Sequence, residues 1–126
     1  MNQQNIYRKY AAAGSIVFAL NAAGTVNRIS GGTVTAGDFK ILRHVGGVWN
    51  VANPATTTPT EIGTSGLYAL PLTATELTPD DLQYPVIMAA HDVAGAEWDD
   101  VTISIYLGYI AADLRGWVGE APNALI

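Results

Sequence analysis

The residues of this sequence that could carry acid–base or metal chemistry lie close together between positions 91 and 100. His91 and Asp92 precede Glu97, Asp99 and Asp100, and grouped carboxylate oxygens suit a hard cation such as Ca²⁺. Their spacing is not that of a calcium-binding loop, and acidic residues between strands commonly form solvated turns. We therefore expect this acidic turn to be structural, without a metal and without a catalytic role.

Other signatures of enzymes are absent from the sequence. None of the serines lies in a Gly-x-Ser-x-Gly elbow, and no glycine pair leads into the Lys-Ser or Lys-Thr of a phosphate-binding loop. Glu76 with an aspartate at 80 or 81 could be proposed as a glycosidase pair, but Glu76 follows Thr73 at capping-box spacing, which is a structural role. His44 is far in sequence from any acidic partner and is expected at the surface. Cysteine is also absent, so the sequence predicts a non-enzymatic protein that needs no cofactor.

The aromatic residues suggest a different activity, which is stacking on sugar rings. Tyr68, Trp49, Trp98, Tyr106 and Trp117 are the candidates, and carbohydrate-binding modules often share the fold that the strands predict. Tyr68 and Tyr106 fall in strands, where packing within the sheet is the default, whereas Trp98 in the acidic turn is expected to be exposed. Aromatic rings grouped on one face would favour sugar binding, and dispersed rings covered by neighbouring subunits would favour assembly.

Composition and charge narrow the choice of partners. The chain has 126 residues, 49% of them hydrophobic and 13% charged, against about 25% charged in typical soluble proteins. A surface so poor in charge is typical of β-rich subunits whose faces are covered by neighbouring copies. The net charge of −5 argues against nucleic acid and against anionic membranes as partners. The apolar run at residues 16–20 is shorter than the roughly 7–15 residues of a signal-peptide core.

Alternation of apolar and polar residues predicts the elements that must position these side chains. A tight hairpin is expected around Gly31-Gly32, and a longer one turns at Gly46-Gly47. The segments with the strongest strand pattern are residues 15–20, 38–51, 67–72, 84–92 and 101–107.

Residues 73–83 interrupt this pattern with two helix-start signals. One is the capping box of Thr73 and Glu76, and the other is Thr78 followed by Pro79. The sequence therefore predicts seven or eight short strands and one short helix. We expect an all-β, immunoglobulin-like antiparallel β-sandwich with one short helix and extended terminal arms. A small barrel or a jelly roll is the alternative that the same pattern permits.

The predicted organisation is an N-terminal docking arm (residues 1–13), a sandwich domain (residues 14–107) and a C-terminal arm or linker (residues 108–126). The first arm carries two basic residues beside two tyrosines, which suits an acidic neighbour. The second presents apolar anchors on a glycine-containing backbone, which a partner must order. The interface residues predicted for the two arms are Tyr7, Arg8, Lys9, Tyr10, Tyr109, Leu114, Trp117 and Leu125.

A series of short motifs runs through the middle of the chain. After the Gly-Gly hairpin come Pro-x-Glu-Ile-Gly at 59–63, Gly-x-Tyr at 66–68 and Leu-Thr-x-x-Glu at 72–76. In this order the motifs resemble a recurring module of tailed-bacteriophage structural proteins, namely tail fibres, baseplate appendages and neck fibres. The resemblance covers residues 37–107.

A second resemblance lies in the Trp-x-Gly-x-Ala-Pro element at 117–122, which is similar to the linker that leads into the trimeric shaft of long phage fibres. Together the two resemblances imply a virion structural protein of the tail, neck or baseplate, assembled in the host cytoplasm. Its implied partners are other virion proteins and further copies of itself, preferably as a homotrimer. A carbohydrate-binding or adhesion module that recognises a host surface glycan is the alternative function.

Overall fold

The computed structural model describes residues 2–109 of the chain, and these residues form two β-sheets. A 3₁₀ turn at Thr75–Leu77 is the one helical element in this range. The strands, in chain order, are β1 (Asn2–Lys9), β2 (Gly14–Ala19), β3 (Phe39–Val45), β4 (Val48–Ala52), β5 (Thr60–Glu61), β6 (Leu67–Leu72), β7 (Val86–Ala90) and β8 (Val101–Gly108).

The order of the strands defines the fold. One sheet has five strands in the order β1-β8-β7-β3-β4, and the other has three in the order β2-β6-β5. Strands β2, β6 and β5 take the B, E and D positions of an immunoglobulin sandwich, while β3, β7 and β8 take the C, F and G positions opposite them. The prediction of an immunoglobulin-like β-sandwich is therefore confirmed, and the two sheets remain separate rather than closing into a barrel.

The core lies between the sheets and follows the alternation of the strands. In β8, Val101, Ile103 and Ile105 are fully buried, while the residues between them face outward. Phe18 of β2 packs across the core against Phe39 of β3, with ring centroids 6.0 Å apart. This contact joins the two sheets through side chains alone, because the chain has no cysteine to form a disulfide.

Trp98 completes the aromatic core and is not exposed as the sequence had suggested. Its ring stacks on Phe39 with centroids 5.7 Å apart, and only 3% of the residue is accessible to solvent. The indole N–H donates to the carbonyl oxygen of Thr33 at 3.0 Å. The acidic residues around Trp98 suggested a solvated turn, but the ring is too large and apolar to be left in water when a core is adjacent.

The predicted hairpin at Gly31-Gly32 is wrong, because no strand lies on either side of these glycines between the end of β2 at Ala19 and the start of β3 at Phe39. Side chains hold this loop instead. The Gly31 N–H donates to Glu61 Oε1 at 2.8 Å, the Gly32 N–H to the hydroxyl of Tyr68 at 2.9 Å, and the Thr33 N–H to Glu97 Oε1 at 2.7 Å. A carboxylate that accepts a backbone N–H supplies the bond that a neighbouring strand would otherwise have supplied.

The predicted short helix is reduced to the 3₁₀ turn. The capping box forms as expected: the Thr73 N–H donates to Glu76 Oε1 at 2.8 Å, and the Glu76 N–H donates to Thr73 Oγ1 at 3.2 Å. The second helix start, at Thr78, is wrong. Its hydroxyl donates to the Thr75 carbonyl at 2.6 Å and accepts from the Arg43 guanidinium at 2.8 Å, so it is not available to cap a further turn.

The N-terminal segment also differs from the prediction. Residues Asn2–Lys9 do not leave the sandwich as an arm but form β1, which pairs in parallel with β8 from Asn2 opposite Val101 to Lys9 opposite Gly108. Pairing satisfies the backbone groups of the segment. Ile6 and Tyr10 also pack against the core. Most of the predicted C-terminal arm, residues 110–126, lies outside the described residues, and Leu114, Trp117 and Leu125 lie there with it.

The two described tryptophans provide a direct test of this core. Trp98→Ala should lower the free energy of unfolding by about 3–5 kcal/mol, because it opens a cavity beside Phe39. Trp49→Ala is the matched control: Trp49 is 42% exposed and contacts the His44 and Tyr84 rings, so its loss should cost about 1–2 kcal/mol. Urea denaturation followed by circular dichroism measures both values. Equal costs for the two variants would contradict the assignment of Trp98 to the core.

Candidate interaction surface

The acidic turn at residues 91–100 accepts hydrogen bonds from backbone N–H groups. Asp99 Oδ1 accepts from the Gly24 N–H at 3.0 Å, and the two oxygens of Asp92 accept from Gly95 at 3.2 Å and from Glu97 at 3.0 Å. These bonds fix the loops at one end of the sandwich. Among residues 2–109, no three His, Asp or Glu side chains are arranged to hold a metal ion.

His91 and Asp100 form an exposed pair beside this turn. Nδ1 of His91 lies 2.6 Å from Oδ1 of Asp100, and the two side chains are 69% and 50% exposed. The hydrogen bond to Asp100, together with the negative charge of that carboxylate, raises the pKa of His91. This hydrogen bond links the ends of two strands and is open to water on both sides. His91 can therefore gain or lose its proton, but the pair does not hold another group in a defined position.

A broad display of uncharged side chains lies on the side of the five-stranded sheet that faces away from the three-stranded sheet, here called the outer face. Strand register places these residues in two adjacent rows that cross the sheet. One row is Val51, Leu42, Ile87, Ser104 and Asn5; the other includes Trp49, His44, Tyr106 and Tyr7.

The β1 end of the outer face carries a pair of tyrosines. Tyr7 and Tyr106 face each other across the parallel strands, with ring centroids 5.6 Å apart and an interplanar angle of 29°. They are 71% and 36% exposed. Nearby, Tyr10 and Tyr109 make a second ring contact at 5.2 Å. The parallel pairing of β1 with β8 therefore builds a tyrosine surface at the edge of the sheet.

The β4 end of the outer face carries a second group of rings, His44, Trp49 and Tyr84, here called the hairpin cluster. The His44 ring stacks on Tyr84 with centroids 4.1 Å apart, and Trp49 meets both rings edge-on at 5.5 and 5.7 Å. The three rings hold one another in fixed orientations, so Trp49 presents a rigid apolar surface at the tip of the β3–β4 hairpin.

Asp80 holds the hairpin cluster in place through hydrogen bonds to the β3–β4 hairpin. Its Oδ1 lies 2.7 Å from His44 Nδ1, its Oδ2 accepts from the Gly47 N–H at 3.1 Å, and its own N–H donates to the His44 carbonyl at 2.9 Å. The hydrogen bond with His44, followed by that with Gly47, lowers the pKa of Asp80. His44 was expected at the surface because no acidic partner is near it in sequence, but its side chain is only 13% exposed, and the fold brings Asp80 to it from 36 residues away.

The structure assigns different surroundings to the interface residues predicted for the N-terminal segment. Tyr7 and Lys9 are exposed on β1. Arg8 instead donates to the Ser15 carbonyl of β2 at 3.4 Å, and Tyr10 is half-buried against the core. Tyr7 and Tyr109, which is 66% exposed, are thus the predicted aromatic positions that remain accessible among the described residues.

Sequence reasoning did not identify the outer face as one surface. Trp49 and Tyr106 were considered only as separate candidates for sugar stacking, and Leu42, Tyr84 and Val51 were not considered at all. The signal that could have found them is the alternation within residues 38–51, which assigns Leu42, His44, Trp49 and Val51 to one side of the hairpin.

Comparison with known proteins adds little to these observations. No protein-family model matches this chain, and no curated protein sequence does. Among solved structures, a BTLA ectodomain is similar over 85% of this chain and 90% of its own, with 10% sequence identity and a TM-score of 0.39. A likeness at this level carries no inference, so the assignment of the fold rests on the strand order. No helix among residues 2–109 is long and apolar enough to cross a membrane.

The His91–Asp100 pair gives a prediction for pH. Because the pKa of His91 is raised in the folded chain, the pair stabilises the fold at pH values below the ordinary histidine pKa. That contribution disappears as the pH rises through the raised value. An NMR titration of the His91 ring should show the raised pKa, and Asp100→Asn should return it towards its ordinary value. An unchanged titration in Asp100→Asn would contradict the assigned cause.

Proposed function

We propose that this chain is a structural protein of a tailed-phage virion, a fibre or appendage component that assembles through protein–protein contacts. The outer face is the observation that supports assembly through protein–protein contacts. It displays Tyr7, Tyr106, Trp49 and Val51 on a rigid sheet, and no charged residue occurs in the two rows that cross it. Aromatic residues are enriched, and charged residues depleted, at the centres of protein interfaces.

The energetics of this surface favour a protein partner. Removing apolar area from water contributes about 25 cal/mol per Å², and rings already held in place lose little conformational entropy on binding. The Tyr7–Tyr106 pair and the hairpin cluster are both ordered in this way within the single chain. The two preordered groups of rings lie at opposite edges of the same face of the sheet. This arrangement suits a broad, flat contact better than it suits a small ligand.

The virion part of the proposal is supported by the sequence resemblance alone. That resemblance covers residues 37–107 and the element at 117–122, and the sandwich fold itself serves many unrelated functions. A homotrimer formed through the C-terminal arm remains the preferred arrangement for that segment. Most of the arm lies outside the described residues, so the trimer stays a prediction from the sequence.

A double variant tests the proposed function. Tyr7→Ser with Tyr106→Ser should leave the fold intact, because both rings are exposed. It should reduce incorporation of the chain into purified particles by about tenfold or more, the effect of losing two interface anchors. Val17→Ser is the control, since Val17 is exposed on the three-stranded sheet. The quantity measured is the ratio of this chain to capsid protein in the particles. Absence of the unmodified chain from the particles would overturn the virion proposal.

Glycan binding is the second candidate function, and one observation favours it. Trp49, His44 and Tyr84 are grouped on one face, and grouping is the arrangement that sugar-binding modules use. Trp98 and Tyr68, in contrast, are buried in the core and are removed from the list of sugar-stacking candidates.

A titration with host-surface oligosaccharides separates the two candidate functions. If sugars bind, the indole N–H signal of Trp49 should shift in NMR spectra, and Trp49→Ala should weaken binding by about tenfold or more, as expected for loss of a stacking ring. Tyr106→Ser, on the same face but outside the hairpin cluster, is the control and should bind normally. No shift at millimolar sugar would leave assembly as the function of this face.

A further inference from the structure

Strand β4 lies at one edge of the five-stranded sheet and is unusually exposed. All five of its residues are exposed, including Val48 at 58%, Trp49 at 42% and Val51 at 62%. On one side β4 pairs with β3, and no strand of residues 2–109 pairs with its other side. The three-stranded sheet does not cover β4 either, so the strand is open on both faces and along one edge.

The backbone groups at that edge can be assigned from the hairpin. Gly46 and Gly47 have φ values of +65° and +80°, as in a type I′ turn, and Val45 pairs with Val48 across it. Hydrogen-bonded pairs then alternate along the ladder. Val48, Asn50 and Ala52 bond to β3, and the N–H and C=O groups of Trp49 and Val51 point to the free edge.

The usual protections of an edge strand are missing here. Natural edges carry lysine, proline, a bulge or an inward-pointing charge that prevents further strands from pairing. The sequence of β4, Val-Trp-Asn-Val-Ala, contains none of the protective residues, and its pairing with β3 is regular over all five residues. The opposite edge of the same sheet, β1, ends in Arg8 and Lys9.

We propose that β4 is the site at which a second copy of this chain adds, antiparallel, about a two-fold axis through Asn50. In this register Trp49 of each copy lies opposite Val51 of the other. Asn50 lies opposite Asn50 of the second copy. The outward backbone groups of Trp49 and Val51 meet their counterparts directly, so four new backbone hydrogen bonds follow from the ladder pattern.

The side chains make this register self-complementary. Trp49 and Val51 lie on the outer face, so the symmetric pairing creates two aromatic–β-branched cross-strand contacts, a favourable type in antiparallel sheets. The two Asn50 side chains lie opposite each other on the other face. Each Nδ2 donates to the Val45 carbonyl of its own chain at 3.3 Å, and its second N–H and its Oδ1 can donate and accept across the axis. No charge is brought against a like charge, because β4 has no charged residue. A partner of unrelated sequence would match only the backbone, which is why we assign a second copy.

This contact goes beyond the proposed function and does not depend on it. Two five-stranded sheets would join into one continuous ten-stranded sheet, with the hairpin clusters of both copies near the axis. A threefold contact through residues 110–126 could coexist with it, since the two contacts use different parts of the chain.

A single cysteine tests the register. In a non-hydrogen-bonded antiparallel pair the Cα atoms lie about 4.5 Å apart, within the roughly 4.4–6.8 Å that a disulfide spans. Asn50→Cys, in a chain that otherwise has no cysteine, should therefore form a covalent dimer rapidly under mild oxidation. Val51→Cys is the control. Position 51 of the second copy is displaced by two residues along the strand, so the two introduced cysteines lie too far apart to form a disulfide. Cross-linking of both variants alike, or of neither, would overturn the proposal.

Charge substitution at the same position gives a second, independent test. Asn50→Asp and Asn50→Lys should each separate the paired copies, because a residue on a two-fold axis faces itself, whereas an equimolar mixture of the two variants should restore the pairing. Light scattering measures the mass, and Asn27→Asp is the control, because Asn27 is exposed in the connection between β2 and β3. A chain whose mass is unaffected by either substitution, or a mixture that fails to recover, would overturn the proposal. Loss of pairing with normal particle incorporation would separate this contact from the proposed function.

Discussion

The structure depends on the packing of Phe18, Phe39 and Trp98 between the sheets. Immunoglobulin-type sandwiches commonly join their sheets with a disulfide that packs on a tryptophan, and this chain has no cysteine. Here Phe18 comes from the three-stranded sheet, Phe39 from the five-stranded sheet, and Trp98 from the loop that enters β8. Three rings in contact therefore link both sheets and a loop, and the link needs no oxidising compartment.

The loops at the Trp98 end depend on that packing in turn. Thr33 accepts from the Trp98 indole and donates to Glu97, so the long connection between β2 and β3 is fastened to the core by side chains. Acidic residues recur in this role, because a carboxylate can accept two backbone N–H groups at once. Glu61 does so with Gly31 and Gly66, and these bonds lower its pKa. Much of the chain's small charge thus serves to hold loops in place, and the two rows that cross the outer face contain no charged residue.

The sequence predicted those parts of the fold that follow from local patterns. Alternation located most of the strands, and the Gly46-Gly47 turn fixed the β3–β4 register, because each depends on residues close together in the chain. The strand β1 was missed, since Asn2–Lys9 is mostly polar and gains its structure only by pairing with β8, about a hundred residues away. The loop at Gly31-Gly32 was misassigned for a similar reason, because Glu61 and Tyr68 come from distant strands.

The candidate surface was harder to predict than the fold. Trp98 lies in an acidic turn and Trp49 in a predicted strand, yet Trp98 is in the core and Trp49 is exposed at the tip of a hairpin. Only the three-dimensional arrangement of Phe39 and Tyr84 accounts for this difference. The parallel pairing of β1 with β8 likewise brings Tyr7 beside Tyr106, and the sequence around neither tyrosine indicates this contact. A surface assembled from five strands cannot be predicted from the alternation within one strand.

The proposed association of this sandwich through its five-stranded sheet, beginning at the β4 edge, can be tested by backbone hydrogen exchange at increasing protein concentration. We expect the amides of Trp49 and Val51 to exchange rapidly in dilute solution and to become protected as the concentration rises, while Asn50, bonded to β3, is protected throughout. Rapid exchange of Trp49 and Val51 at every concentration, or new protection confined to the three-stranded sheet, would show that the sandwich does not associate in this way.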